Sequence, residues 1–174
     1  MGDSIYQNAI TADMRVMVNY KLRRIKDVYD ELPEPFKLEC DECDDSTCIG
    51  RETGGITTLS NQGPEKIDRI ISHNSGKNVY RISTEHCSVD VLESQQVVVF
   101  LDCDLIFIPA NELQVGDIVM DIYDDMYQHS PITSIENLGP SNEPVYGVHI
   151  DNEDRVKNIL FANKILICGV EPYI

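Results

Sequence analysis

The 174-residue chain is short of positive charge, with 14 Lys and Arg against 30 Asp and Glu and a formal net charge of −16. An acidic surface repels phosphate, so no nucleic-acid partner is expected, and basic protein partners suit it better. No apolar run approaches the roughly 20 residues of a membrane span. A basic region followed by an apolar stretch is missing near the start, so no secretion signal is expected. The six cysteines (40, 43, 48, 87, 103 and 168) are then expected to be reduced thiols in a cytoplasmic setting, not a disulfide framework. Internal repeats are absent, and nothing in the sequence points to a cofactor or a small-molecule substrate.

What is present is strand pattern. From Ile71 to Val99 the chain alternates apolar and polar residues through Val79–Ser83 and again through Val89–Val91. It then runs continuously apolar over Val97–Leu101. Alternation marks strands with one wet face, and the β-branched run marks a strand buried on both faces. Ile70–Ile71 and Val79–Ser83 read as a hairpin around Ser75-Gly76-Lys77. Further strands are expected at Arg15–Val18, Ile56–Leu59, Leu105–Pro109, Ile118–Ile122, Pro131–Ile135, Val145–Ile150, Val156–Phe161 and Ile165–Ile167. Leu113 and Val115 are expected to pack a short turn before Gly116-Asp117. One helix is expected over Leu22–Leu32, whose apolar residues recur on one face until Pro33 and Pro35 stop it. Short strands separated by turns predict a compact, mainly β domain.

The acidic stretch of about 34–50 holds Cys40, Cys43 and Cys48 in C-x2-C-x4-C spacing. Zinc takes four ligands as a rule, and C-x2-C supplies half of a structural site. No second C-x2-C follows, so a plain acidic insertion is the competing reading.

Three segments carry a family resemblance. HNSGKNVYRIST (73–84) with VDV (89–91), PANELQVGDIV (109–119), and VYGVHI (145–150) with NILFANKILICG (158–169) occur in that order. Together they resemble the Hint fold of inteins and hedgehog-type autoprocessing domains. The last block resembles V-Y-D-L-x-V followed by H-N-F-x-A-N-G-I-L-V-H-N, and the stretch beginning at Ala9 resembles the family's opening block. The resemblance implies a mainly β, horseshoe-like Hint fold with one short helix over residues 9–169, of mini-intein length. Residues 1–8 and 170–174 would be flanks of a host protein in cis.

In the family, a thiol or hydroxyl at the first position attacks the carbonyl before it. A Thr-x-x-His motif polarises that peptide and protonates its leaving nitrogen. A terminal Asn, helped by a preceding His, cyclises to cut the downstream bond, and the next residue accepts the transferred chain. Carried over by position, these roles fall on substituted residues. The first position is Ala9; Thr-x-x-His becomes Leu92-Glu93-Ser94-Gln95; the His opening the last block becomes Asn158. The penultimate His becomes Cys168, the terminal Asn becomes Gly169, and the acceptor becomes Val170. A glutamine amide orients a partner but exchanges no proton near neutrality.

A slid register offers Ser83-Thr84-Glu85-His86 as a loosened Thr-x-x-His, at the cost of the VDV match. Cys168 could instead be the attacking acceptor, because some inteins begin with Ala; its competing reading is a small buried apolar residue on a terminal strand. Cys87 and Cys103 are read as buried in the same way. Two functions fit these residues. One is an intein-like domain whose splicing is lost or impaired, so that enzyme activity is an open question. The other is a non-catalytic Hint-fold module that holds a structural or protein-binding place in a larger complex.

Overall fold

The structure, a computed structural model, describes residues 8–38, 48–151 and 158–170. It builds two antiparallel sheets from sixteen strands. The first half runs β1 (Ile10–Thr11), β2 (Arg15–Val18), β3 (Lys21–Arg24), helix α1 (Ile25–Asp30), β4 (Phe36–Leu38), β5 (Cys48–Ser60), β6 (Gly63–His73), β7 (Asn78–Ser83) and β8 (Ser88–Leu92). The second half runs β9 (Gln96–Leu101), β10 (Asp104–Pro109), a 3-10 turn (Ala110–Glu112), β11 (Ile118–Tyr123), β12 (Met126–Pro131), β13 (Ser134–Pro140), β14 (Val145–Ile150), β15 (Ile159–Ala162) and β16 (Ile165–Cys168). One sheet has the order β13-β7-β8-β1-β14-β6-β5-β4, the other β10-β9-β16-β15-β2-β3, with the β11–β12 hairpin added on β16. Among the described residues, no helix is long and apolar enough to cross a membrane.

One face of each sheet turns inward. Val16, Ile25, Ile70, Ile82, Val91, Val97, Val119, Val148, Ile150 and Ile167 share the main core. The outer side of the second sheet carries a smaller apolar cluster of Val98, Ile159, Phe161, Leu166 and Cys168. Val97 and Val98 thus bury opposite faces of β9, as a continuous β-branched run requires.

Three of the two-residue hairpin turns, Asn19-Tyr20, Asp124-Asp125 and Asn163-Lys164, have positive φ at both residues. That backbone twist matches the flanking strands. The turn asparagines are also tied to their neighbours. Asn19 Oδ1 accepts from the Thr57 amide at 3.0 Å, and Asn163 Oδ1 accepts from the Arg15 amide at 2.6 Å. In β5, Gly54 and Gly55 adopt positive φ and take up a bulge opposite Asp68, where the register slips between Glu52 and Ile56.

Several expectations need correction. The helix is confined to Ile25–Asp30, because Leu22, Arg23 and Arg24 pair with β2 across the Asn19-Tyr20 turn. Local propensity yields there to a closed hairpin. Leu22 instead lines an open cavity of about 440 Å³ with Met17, Leu59, Ile122, Tyr127 and Phe161, which Asp125 and Lys164 also border. β6 and β7 do not form a hairpin: β6 lies between β14 and β5, and β7 lies between β13 and β8. The strand expected at Pro131–Ile135 is two strands, β12 and β13, parted by Ile132-Thr133. Val115 is 64% exposed; only Leu113 packs inward. Cys103 is exposed at the β9–β10 turn and Cys87 is half-buried, so neither is a fully buried thiol. Residues 156–157 and the Cys40 and Cys43 pair lie outside the described residues, as does the Cys48 side chain. Among the described residues no group of three His, Cys, Asp or Glu is placed to hold a metal.

Candidate functional site: the paired chain junctions

β1 brings the first position to the centre of its sheet. Ile10 pairs with Val91 of β8 on one side and Tyr146 of β14 on the other. Ala9 therefore sits beside the end of β8, where its carbonyl accepts a hydrogen bond from the Leu92 amide at 3.0 Å. Ala9, Leu92 and Val145 pack together as a small buried cluster. Where the family has a nucleophile and a hydroxyl, this chain has apolar contact.

Beyond Leu92 the chain turns, with the Gln95 amide donating to the Leu92 carbonyl at 2.9 Å. The Gln95 side chain is buried, and its Nε2 donates to the Cys168 and Gln96 carbonyls, each at 2.7 Å. Both amide protons are thereby used in holding β16 against the start of β9. Gln95 orients backbone and transfers no proton.

The position expected to be the downstream junction lies against the same place. The Gly169 amide donates to the Asn158 carbonyl at 2.9 Å, and Asn158 Nδ2 donates to the Val170 carbonyl at 3.0 Å. A Cβ on Gly169 would stand 2.7 Å from the Val148 carbonyl oxygen and 2.8 Å from Asn158 Oδ1. The first of these is backbone and cannot swing aside, so an asparagine side chain has no room. Cys168 points the other way, into the outer apolar cluster with Val98, Ile159, Phe161 and Leu166. That is the packing of a small buried apolar residue.

All six predicted positions (Ala9, Leu92, Gln95, Asn158, Cys168 and Gly169) thus come to one end of the fold. The slid register does not. Thr84 and His86 sit beyond the Ser88 end of β8, about 13 Å along the strand from Leu92. There Asp121, fully buried, accepts from Thr84 Oγ1 at 2.6 Å and Ser130 Oγ at 2.7 Å. His86 Nδ1 is 3.4 Å from the same carboxylate, and its ring stacks on Tyr123. Burial, with the Asp121 charge beside it, pushes the Cys87 thiol up.

Three junction residues escaped the sequence reading. Asn8, before the first position, is buried; its Nδ2 donates to the Gly169 carbonyl at 3.0 Å and its Oδ1 accepts from the Gln96 amide at 2.7 Å. Gly147 stands where the resembling block has Asp, a signal that could have found it. His73, first residue of the HNSGK segment, faces Val145 across the β6–β14 pair. Burial, reinforced by the Lys77 charge, lowers its pKa to about 4, so it is neutral at pH 7. A cavity of about 10 Å³ remains between Asn8, Gln95, Tyr146 and Cys168.

No family model matches the chain, and no curated protein matches it. Solved structures do. It is similar to an intein from a hyperthermophile at 17% identity and TM-score 0.77, covering 93% of this chain and 99% of that one. It is similar to the transcription factor IIB Mvu mini-intein at 14% identity and TM-score 0.71, covering 93% and 99%. A DnaB intein from Synechocystis sp. PCC 6803 matches at 18% identity and TM-score 0.63, covering 92% and 97%. The chain has the Hint fold of inteins.

Proposed function

We propose that this chain is an intein-like Hint domain, related to autocatalytic protein splicing, in which the splicing chemistry is lost or impaired. The observation that carries the reading is Gly169, whose missing side chain leaves only the space that the Val148 carbonyl and Asn158 Oδ1 already fill. Asparagine cyclisation needs an amide nitrogen there, and a glycine supplies none. Ala9 likewise offers no atom to attack the Asn8 carbonyl. Gln95 and Asn158 hold backbone groups by hydrogen bonds, and neither replaces an ionisable imidazole. The host flanks would enter and leave in cis beside each other, through Asn8 and Val170.

The test is the intact mass of the chain expressed between two reporter domains, followed for a day with and without added thiol. A single unchanged mass is expected. A ligated-reporter mass, or a cut before Ala9 or beside Cys168, would overturn the reading. The module reading, a fold kept for its structural place, is favoured by one further observation: the end that would do chemistry is packed and bonded shut by Ala9, Leu92, Val145 and Gln95.

A further inference from the structure

Past the end of β16 the chain stays on the domain. The Val170 amide donates to the Val148 carbonyl at 2.7 Å, and Val170 forms a parallel bridge with His149. Its carbonyl is held by Asn158 Nδ2, and its side chain is 1% exposed. The seat for that side chain is the missing Cβ of Gly147. A Cβ built there would collide with Val170 Cγ2 and lie 2.9 Å from the Asn8 carbonyl oxygen. Val170 therefore rests in the one-residue notch that the glycine leaves.

The upstream side is gripped as firmly. Asn8 reaches 161 residues along the sequence to the Gly169 carbonyl and, with its other amide atom, takes the Gln96 amide. Gly169 leaves no room for a side chain, since an added Cβ would meet the Val148 carbonyl oxygen and Asn158 Oδ1. One residue outside each end of the resembling segment is thus built into its packing. A transfer reaction needs the opposite, since the acceptor must swing to the upstream carbonyl and then leave.

We infer that Val170, seated in the Gly147 notch, is a fastener that with Asn8 makes the domain a fixed non-covalent joint between the segments entering at Asn8 and leaving at Val170. This rests on the intein-like reading only for what those segments are, namely host flanks. The joint itself follows from contacts of Asn8, Gly147, Asn158, Gly169 and Val170.

The test uses amide hydrogen exchange on the chain between its two reporters. The Val170 amide should exchange roughly a hundredfold more slowly than an unstructured amide. Asn8→Ala should speed exchange at Val170 by roughly tenfold, because the grip on the upstream side supports the downstream one. Val170→Asp should release that amide and the Gln96 amide together, with core amides such as Ile70 unchanged. Should Val170→Asp fail to fold, a cycle of Gly147→Ala and Val170→Ala replaces it. Gly147→Ala should be much less damaging once Val170→Ala has removed Cγ2. Free exchange at Val170 in the parent chain, indifference of Val170 to Asn8→Ala, or simple additivity in the cycle would each overturn the joint. A cut product in the mass experiment strikes at the loss of splicing alone, and a freely exchanging Val170 strikes at the joint alone.

Discussion

At the Leu92 end of β8, Ala9, Leu92 and Val145 pack together beside two close-packed glycines, and Asn8, Gln95 and Asn158 donate their side-chain amides to backbone carbonyls. At the Ser88 end, a fully buried carboxylate collects Thr84, Ser130 and His86. The end with the buried carboxylate is the one that the fold places away from the expected junctions. The end that Ala9, Leu92 and Val145 pack shut is the one where the two expected junctions meet. A buried, bonded acid–hydroxyl network is a means of holding β11 and β12 to the β7–β8 turn. Residue types that suggest catalysis therefore decide little until the topology says what they stand beside.

The largest effect that would break this comparison is expected at Gly169. Gly169→Asn restores the family's residue but drives a Cβ against the Val148 carbonyl. It should cost about 3 kcal/mol in urea unfolding, with Gly169→Ala nearly as costly because the clash begins at Cβ. A well-folded, fully stable Gly169→Asn protein would mean that the junction is open and the contrast false.

At the other end, Asp121→Ala leaves the Thr84 and Ser130 hydroxyls without their buried acceptor. A loss of about 2 kcal/mol is expected, with the intact mass between reporters unchanged. A change in cleavage instead would place the Asp121 network in the junction chemistry.

His73 sharpens the comparison through pH. Its folded pKa of about 4 lies below the ordinary imidazole value of 6.5, so the unfolded chain binds the extra proton between those values. Stability is fully present above pH 6.5 and falls as pH drops from 6.5 toward 4. The loss from His73 between pH 7 and pH 5 should be about 2 kcal/mol. His73→Gln should flatten that part of the profile, read as the difference between the two proteins in denaturant titrations.

How much was legible depended on range. The β7, β8, β9, β11 and β16 strands show in the sequence because alternation and β-branched runs are local. The order of strands is not local: nothing within Ile70–Ser83 says that β6 pairs with β14, from far along the chain, in preference to β7. The same limit hid Asn8, whose partners Gly169 and Gln96 are distant, and disguised Leu22 as a helix residue. The resembling blocks singled out Ala9, Leu92, Gln95, Asn158, Cys168 and Gly169 as one set of positions, because register to a known pattern carries long-range information that composition lacks. Gly147 stood in that pattern unread, since a lost aspartate is visible only as a glycine, and its meaning is the valine that fills the gap.

The smallest expected effect separates a core thiol from an acceptor. Cys168 packs with Val98, Ile159, Phe161 and Leu166, and its backbone carbonyl accepts from Gln95 Nε2. Cys168→Ala removes one buried sulfur and should cost about 1 kcal/mol, with no change in intact mass on any thiol schedule. Cys168→Ser keeps a nucleophile but puts a hydroxyl among apolar side chains, so it should be the less stable of the two. The ranking is diagnostic: an acceptor residue tolerates serine better than alanine in activity, whereas a core residue tolerates alanine better than serine in stability. Alanine above serine keeps Cys168 in the packing of the second sheet. The reverse order, with a cut product lost only in the alanine variant, would move it into the junction.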